Sequence, residues 1–313
     1  MIPALVLTAG LATRLRPLSF VRAKAAVPVA GEPLARRILR GLAAAGVTDA
    51  VLNLHHLPHT LTALIGDGSD AGVHVRYSWE VPVLGSAGGP RRALPLLGSS
   101  TFLIVNGDTL TDIDVAAVVA DHRRSGALVT MAVVPNLEPE KYGGVLVDAD
   151  GTVTGFGRRG SSGESYLFVG VQVTEAEAFA SVPDATPYES VGRLYPALIA
   201  TRPGSVRAFV TRGELLDIGT PDDYLRTSLL LGAREGRALH GEGARVHPSA
   251  RVEQSVLWDD VEVGEGTMLR QCVVTDGVRV PADTSWIGVT MRLPNGELAP
   301  GEHVIDGIAI GSL

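Results

Sequence analysis

Cysteine is almost absent from this chain. Cys272 is the only one in 313 residues, so no intrachain disulfide can form, and a reducing cytoplasm is the expected setting. Basic residues do not dominate either. The net charge of −7 argues against a general nucleic-acid surface and confines any anion site to a local basic patch. Charged residues are only 19% beside 45% hydrophobic ones, which excludes a disordered chain. No apolar run approaches membrane-spanning length, so no membrane association is expected. The apolar start at 2–7 has no basic flank before it, and Arg14 and Arg16 end it too early for a signal peptide. Two nucleotide-binding spellings are missing from the loop after the first apolar run: it reads neither G-x-x-x-x-G-K-[ST] nor G-x-G-x-x-G. His55, His56 and His59 cluster, but no carboxylate or thiol joins them at metal-ligand spacing, so they read as solvated loop histidines.

What is present begins at the N-terminus. Residues 2–7 have the length and apolarity of a buried parallel strand. A loop of small residues follows, Thr8, Ala9, Gly10, Ala12 and Thr13, and then three cations, Arg14, Arg16 and Lys24. Small residues let backbone N–H groups approach an anion, and neighbouring cations favour phosphate. The place is right too, because ligands of open α/β sheets bind beyond the carboxyl ends of the strands.

Periodicity predicts a helix over 33–45, strands over 50–54 and 73–77, and a short helix over 57–65 between them. That order implies a parallel sheet. Over 80–90, Gly85, Gly88 and Gly89 permit close backbone approach to a planar ligand. Residues 101–108 read as a strand ending in a carboxylate, Asp108, where a hard cation such as Mg²⁺ would be held. Asp112 and Asp114 remain to cap the helix expected over 115–124. Residues 142–148 and 152–156 read as an antiparallel pair about an Asp-Ala-Asp-Gly turn. A largely helical stretch, interrupted near Pro183 and Pro187, is expected over 175–200.

From 245 to 282 the texture changes to hexad spacing, as in Leu257, Val263 and Leu269, or Val261, Thr267 and Val273. Small aliphatics every six residues mark a parallel β-helix, and the length admits two to three coils. The chain is long for one core, so two domains are expected, 1–237 and 238–313.

The stretch Ala9-Gly10-Leu11-Ala12-Thr13-Arg14-Leu15-Arg16-Pro17-Leu18, with Lys24 and Val27-Pro28-Val29, resembles the signature of the sugar-1-phosphate nucleotidyltransferases. Two more motifs resemble that family in the right order: Glu80-Val-Pro-Val-Leu-Gly-Ser-Ala-Gly and Asp217-Ile-Gly-Thr-Pro. The nearest likeness within it is to mannose-1-phosphate guanylyltransferases. The fold implied is α/β, with a Rossmann-like mixed, mainly parallel sheet and a short C-terminal left-handed β-helix.

The reaction implied joins an NTP and a sugar 1-phosphate into NDP-sugar and pyrophosphate, with Mg²⁺ on Asp108 and Asp217. Arg14 would meet the leaving pyrophosphate, Lys24 the α-phosphate, and the backbone of Ala9, Gly10, Leu11, Ala12 and Thr13 the β- and γ-phosphates. Glu80, Gly85, Ser86 and Ala87 would surround the base. A carboxylate accepts two hydrogen bonds, which suits guanine better than uracil or thymine and points Glu80 toward GTP; the bland reading of Glu80 is a surface residue opening a loop. Tyr142, Gly143, Gly170 and either Arg158 or Arg159 would meet the sugar phosphate.

The chain departs from the family pattern at Ala12, where glycine is usual, and at Ala23 and Ala25, which replace prolines. It also has Phe156-Gly-Arg-Arg-Gly where the family has F-x-E-K-P, leaving Glu164 as a stand-in for the sugar-binding glutamate. These departures keep two alternatives open: UTP or dTTP with another sugar 1-phosphate, or a non-catalytic regulator that binds NDP-sugar. Homo-oligomerisation through the β-helix is a further expectation.

Overall fold

The structure is a computed structural model and describes residues 2–313. The chain divides into two compact units. One holds the chain up to Gly10, Arg36–His56 and Ile65–Leu216; the other holds Leu11–Ala35, Leu57–Leu64 and Asp217–Leu313. This division differs from a single cut at 237/238, because the signature turn and the short segment 57–64 group with the C-terminal residues.

The first unit is built on a nine-stranded sheet. Ala4–Leu7 lies between Asp49–Leu54 and Thr101–Asn106, parallel to both, and His74–Trp79 adds a fourth parallel strand beyond Asp49–Leu54. The parallel order expected from the alternating pattern is present, and these central strands are nearly continuous apolar runs because both faces are covered. The other half is mixed. Tyr166–Glu175 pairs antiparallel with both Thr101–Asn106 and Val129–Pro135, and Val206–Val210 runs parallel to Val129–Pro135. Gly144–Val147 and Val153–Gly157 form the expected hairpin, whose Asp148 carboxylate accepts from the N–H groups of Asp150 and Thr152. Phe102, Ile104, Val129, Met131 and Phe179 lie in the core of this unit with no more than traces of exposure.

Two local segments stand out. The glycine-rich stretch after Leu84 is helical from its first glycine, Gly85–Leu97. Glycine and proline disfavour a helix by propensity, but close packing overrides that here. A methyl on Gly88 would come within 2.6 Å of the Thr186 carbonyl, and one on Gly89 within 2.5 Å of Glu80 Oε1. The stretch 175–200 is less helical than its composition suggests. It holds a 3₁₀ turn at Ala176–Phe179, a π turn at Ser190–Leu194 and a short helix at Tyr195–Thr201, with Pro183 and Pro187 in the non-helical gap.

The second unit contains the β-helix. Its strands pair in parallel at 17-residue steps: Arg245 with Glu262 and then Arg279, Leu269 with Trp286, Val256 with Val273 and then Thr290. Each coil has three short strands, and inward-facing Leu257, Val263, Leu269, Val274 and Val280 form a core of their own. These are positions the hexad spacing picks out. The last coil is closed by an antiparallel hairpin, His303–Ile305 with Ile308–Ser312, laid on Val289–Arg292.

The helix Pro221–Glu235 leads into this coil. Thr220 caps it by accepting the N–H of Asp223, and Pro221 fills its first turn. Tyr224 of that helix donates its hydroxyl to the Pro28 carbonyl at 2.5 Å and accepts from Trp258 Nε1 at 2.8 Å. Arg22 completes the tie between signature segment and coil: Nε donates to Asp276, Nη2 reaches Asp259 and Asp276, and the guanidinium lies 5.3 Å from the Trp258 ring centroid. These bonds are the physical reason that residues 11–35 group with the C-terminal half. Among the described residues no helix is long and apolar enough to cross a membrane.

Candidate active site

In the first unit, several expected residues meet at the carboxyl ends of the central strands. Asn53, one residue before the end of the strand Asp49–Leu54, had no role assigned from sequence. Its Oδ1 accepts the N–H of Thr8 at 2.6 Å and of Ala9 at 3.3 Å, and Nδ2 donates to Glu80 Oε1 at 2.7 Å. Glu80 Oε2 accepts the N–H of Leu84 at 2.8 Å. Glu80 is only 1% exposed. Both of its oxygens are therefore engaged inside the chain, where Glu80 ties Asn53 to the entry of the Gly85–Leu97 helix. An asparagine inside an otherwise apolar strand was the signal available in the sequence. The Ala9 amide is likewise committed, to Asn53.

Asp108 lies in the turn after Thr101–Asn106 and is half-buried. The helix that follows is capped by Asp114, which accepts the N–H of Ala117, so capping does not account for Asp108. Gly107 fits only because it lacks a side chain. A methyl there would come within 2.6 Å of the Leu7 carbonyl and 2.7 Å of Thr8 Cγ2. Gly170 closes the other side of the same turn. It has φ +79° in a strand irregularity, and a methyl on it would lie 2.9 Å from Asn106 Cβ and 3.0 Å from Thr109 Oγ1. Gly170 therefore stands against the Asp108 turn and is not among the residues that line the pocket around Tyr142.

Gly85, Ser86 and Ala87 form the first turn of their helix, braced by a second segment that sequence reasoning missed. Tyr188 accepts from Ala87 N–H at 2.8 Å, Ser86 donates to Glu189 Oε2 at 2.8 Å, and Ser190 N–H donates back to Ser86 Oγ at 2.8 Å. A methyl on Gly85 would meet Glu189 Oε1 at 2.6 Å. The exposed carboxylate at this turn is Glu189.

Tyr142 and Arg158 line a shallow pocket with Asn136, Ser161, Ser162 and Ser165. Asn136 donates toward the Tyr142 carbonyl and Ser165 Oγ, which holds the pocket wall. Gly143 is needed at the neighbouring strand, where a methyl would come within 2.9 Å of the Gly157 carbonyl. Arg159 and Glu164 are exposed outside this lining.

In the second unit, Leu11, Thr13 and Arg14 are exposed. Ala12 has φ +48°, and a 3₁₀ turn follows at Thr13–Leu15. A left-handed residue followed by right-handed ones aims successive N–H groups into one concavity, a known anion-binding shape. Among the described residues the amides of Leu11, Ala12 and Thr13 meet no acceptor. The left-handed backbone at Ala12 is also the reason a glycine is natural there. Ser19 Oγ, which donates to the Ala12 carbonyl at 2.9 Å, holds the turn.

Arg14 and Asp217 come together over Gly219. A methyl on Gly219 would lie 3.1 and 3.2 Å from the Asp217 carboxylate oxygens and 3.4 Å from Arg14 Nη1. Lys24 opens the 3₁₀ turn Lys24–Ala26, half-buried. Ala23, in place of a proline, donates its N–H to Thr60 Oγ1 at 3.0 Å, a bond proline has no hydrogen to make.

The donors expected for a divalent cation, Asp108 and Asp217, are hard carboxylates. Among the described residues no cluster of three or more His, Cys, Asp or Glu could hold a metal by itself. Carboxylate oxygens are the kind of ligand Mg²⁺ takes, alongside substrate phosphates and water, so the chemistry of each residue suits such an ion.

Residues 3–233 match the nucleotidyl transferase family, and residues 226–295 match the family described as GlmU-like, C-terminal hexapeptide. The chain is similar to a mannose-1-phosphate guanylyltransferase of Mycobacterium tuberculosis, 32% identical over 293 residues, covering 90% of this chain and 82% of that one. It is similar also to a UTP–glucose-1-phosphate uridylyltransferase of Synechocystis, 27% identical, covering 98% and 87%. A third relative is an N-acetylmuramate alpha-1-phosphate uridylyltransferase of Neisseria meningitidis, 35% identical over 234 residues, covering 74% and 98%. In fold it matches the crystal structure of HddC from Yersinia pseudotuberculosis, with a TM-score of 0.65 at 23% identity over 74% of this chain and 100% of that one. With the signature turn, the carboxylates and the hexapeptide coil in one chain, this protein belongs to the nucleotidyl transferase family, the sugar-1-phosphate branch that makes nucleotide sugars with the help of a divalent metal.

Proposed function

We propose that the chain transfers a guanylyl group from GTP to a sugar 1-phosphate, mannose 1-phosphate or a close relative, releasing pyrophosphate. The observation that carries the transfer chemistry is the signature turn: three consecutive N–H groups, at Leu11, Ala12 and Thr13, that meet no acceptor among the described residues, followed by an exposed Arg14 beside Asp217. Those amides would hold the β- and γ-phosphates, and Arg14 the leaving pyrophosphate. Lys24 would neutralise the α-phosphate. The sugar phosphate is its own nucleophile, so the protein supplies positioning and charge and no serine, cysteine or histidine need attack. Asp108 and Asp217 are the carboxylates we assign to Mg²⁺, which when bound stabilises charge on the phosphates. Tyr142 and Arg158 would meet the sugar phosphate.

The preference for guanine rests on Glu189 in place of Glu80. Its carboxylate is exposed and tied to Ser86 at the turn assigned to the base. A carboxylate can accept both the ring N–H and the amino group of guanine, whereas a uracil edge brings one N–H between two carbonyl oxygens that a carboxylate repels. The guanylyltransferase relative supports this reading, and the two uridylyltransferase relatives favour UTP as the competing one. Pyrophosphate release with Mg²⁺, four NTPs and a panel of sugar 1-phosphates decides between them. GTP is expected to be turned over best, and Asp108→Asn to lose at least about a hundredfold in kcat. Turnover confined to UTP or dTTP overturns the guanylyl assignment. Tight NDP-sugar binding with no release from any pair overturns the enzyme reading in favour of a regulator.

A further inference from the structure

The C-terminal closing segment does more than seal the β-helix. Arg292 is buried to 1% exposure with Glu302, which accepts from its Nε at 2.9 Å and from its Nη2 at 2.8 Å. The third arm, Nη1, donates to Asn295 Oδ1 at 2.8 Å. Asn295 Nδ2 in turn donates to the Phe20 carbonyl at 3.0 Å, a contact between residues 275 positions apart. The Arg292 guanidinium also lies 4.8 Å from the Phe20 ring centroid, as does that of Arg16, and Arg16 is paired with Glu297 at 3.6 Å. Phe20 follows Ser19, and Ser19 holds the carbonyl of Ala12. One chain of contacts thus runs from Glu302 through Arg292, Asn295 and Phe20 to the left-handed residue that aims the free amides.

A buried Arg–carboxylate pair adds little net stability over an apolar pair of the same volume. Its planar fork does fix direction, and here one arm of that fork orients Asn295. We infer that the segment 292–302 is a strap that positions the anion-binding turn, with Arg292 and Asn295 as positioning residues acting through Phe20 on NTP binding. This rests on the nucleotidyl-transfer reading of that turn. Asn295 is exposed, so its replacement leaves the core intact.

The test uses the full chain with Asn295→Ala and Asn295→Asp. The aspartate keeps the acceptor for Arg292 but sets an oxygen against the Phe20 carbonyl, so it separates positioning from mere capping of the coil. Both variants should raise KM for the NTP about fivefold, the factor of one modest hydrogen bond, with kcat, KM for the sugar 1-phosphate and Tm nearly unchanged. Amide exchange of residues 11–20 should quicken in both. Unchanged NTP KM and unchanged exchange in the two variants overturn the strap. If the wild-type chain turns over no NTP at all, the functional reading fails by itself, and the exchange measurement still decides whether the strap holds the turn.

Discussion

Asn53 donates its side-chain amide to Glu80 at 2.7 Å, and that bond holds the Glu80 carboxylate in the interior. With the Leu84 N–H on its other oxygen, the carboxylate joins two strand ends to the helix that begins at Gly85. Glu80→Gln turns one of these acceptors into an NH₂ facing a donor. It should cost about 1–3 kcal/mol of stability. The ratio of kcat/KM for GTP over UTP should stay where it was. Urea unfolding read beside a two-nucleotide assay checks both, and a lost GTP preference with unchanged stability would return Glu80 to the base.

Gly107 makes the complementary case for Asp108. Because a methyl would press on the Leu7 carbonyl and Thr8 Cγ2, Gly107→Ala must move the turn that carries the carboxylate. Overpacking of this kind costs about 1–3 kcal/mol. Displacing a charged group by about 1 Å can cost on the order of a hundredfold in rate. The expected result is a folded protein with sharply reduced kcat. A variant destabilised to that degree but fully active would separate the turn from the chemistry.

Much of this arrangement is legible in sequence because it is local. Asp108 follows an apolar strand and a Gly-Asp turn, and the β-helix core at Leu257, Val263 and Leu269 follows a fixed spacing. What is not legible depends on partners far away in the chain. The helix Gly85–Leu97 contradicts its own propensities and exists because the Thr186 carbonyl and Glu80 sit where side chains would otherwise be. Glu80 looks like a loop residue until Asn53 is beside it. Arg292 and Asn295 carry no motif, and nothing near them in sequence announces Phe20. The tie from Arg22 to Asp259 and Asp276 is of the same kind, and it is what moves the compact boundary away from residue 237.

Ala12→Gly tests the turn from the side of its backbone. An alanine at φ +48° carries strain that glycine does not, although glycine is freer when unfolded. The two effects oppose each other, so the net change in stability should be within about 1 kcal/mol. Activity should be retained, since the amide of residue 12 keeps its direction. Thermal melts and NTP KM are the readouts. A loss of more than about tenfold in kcat/KM would mean the Ala12 methyl itself touches substrate.

Asp276 gives the fold a pH signature. Burial raises its carboxyl above the ordinary value of 3.8, the hydrogen bond and charge of Arg22 pull it back, and neighbouring Asp259 adds to the rise through its charge. A carboxyl whose folded value is raised holds its proton more tightly folded than unfolded. The stability it contributes is then fully present below the unfolded value and is lost as pH rises through the folded one. Asp276→Asn removes the titration. The wild type should therefore lose stability relative to this variant as pH climbs from below 3.8 toward neutral. Urea midpoints of both proteins across that range supply the measurement. If the gap instead grows in favour of the wild type toward neutral pH, attraction to Arg22 outweighs the cost of burial, and the tie between signature segment and coil is an ion pair that strengthens as Asp276 ionises.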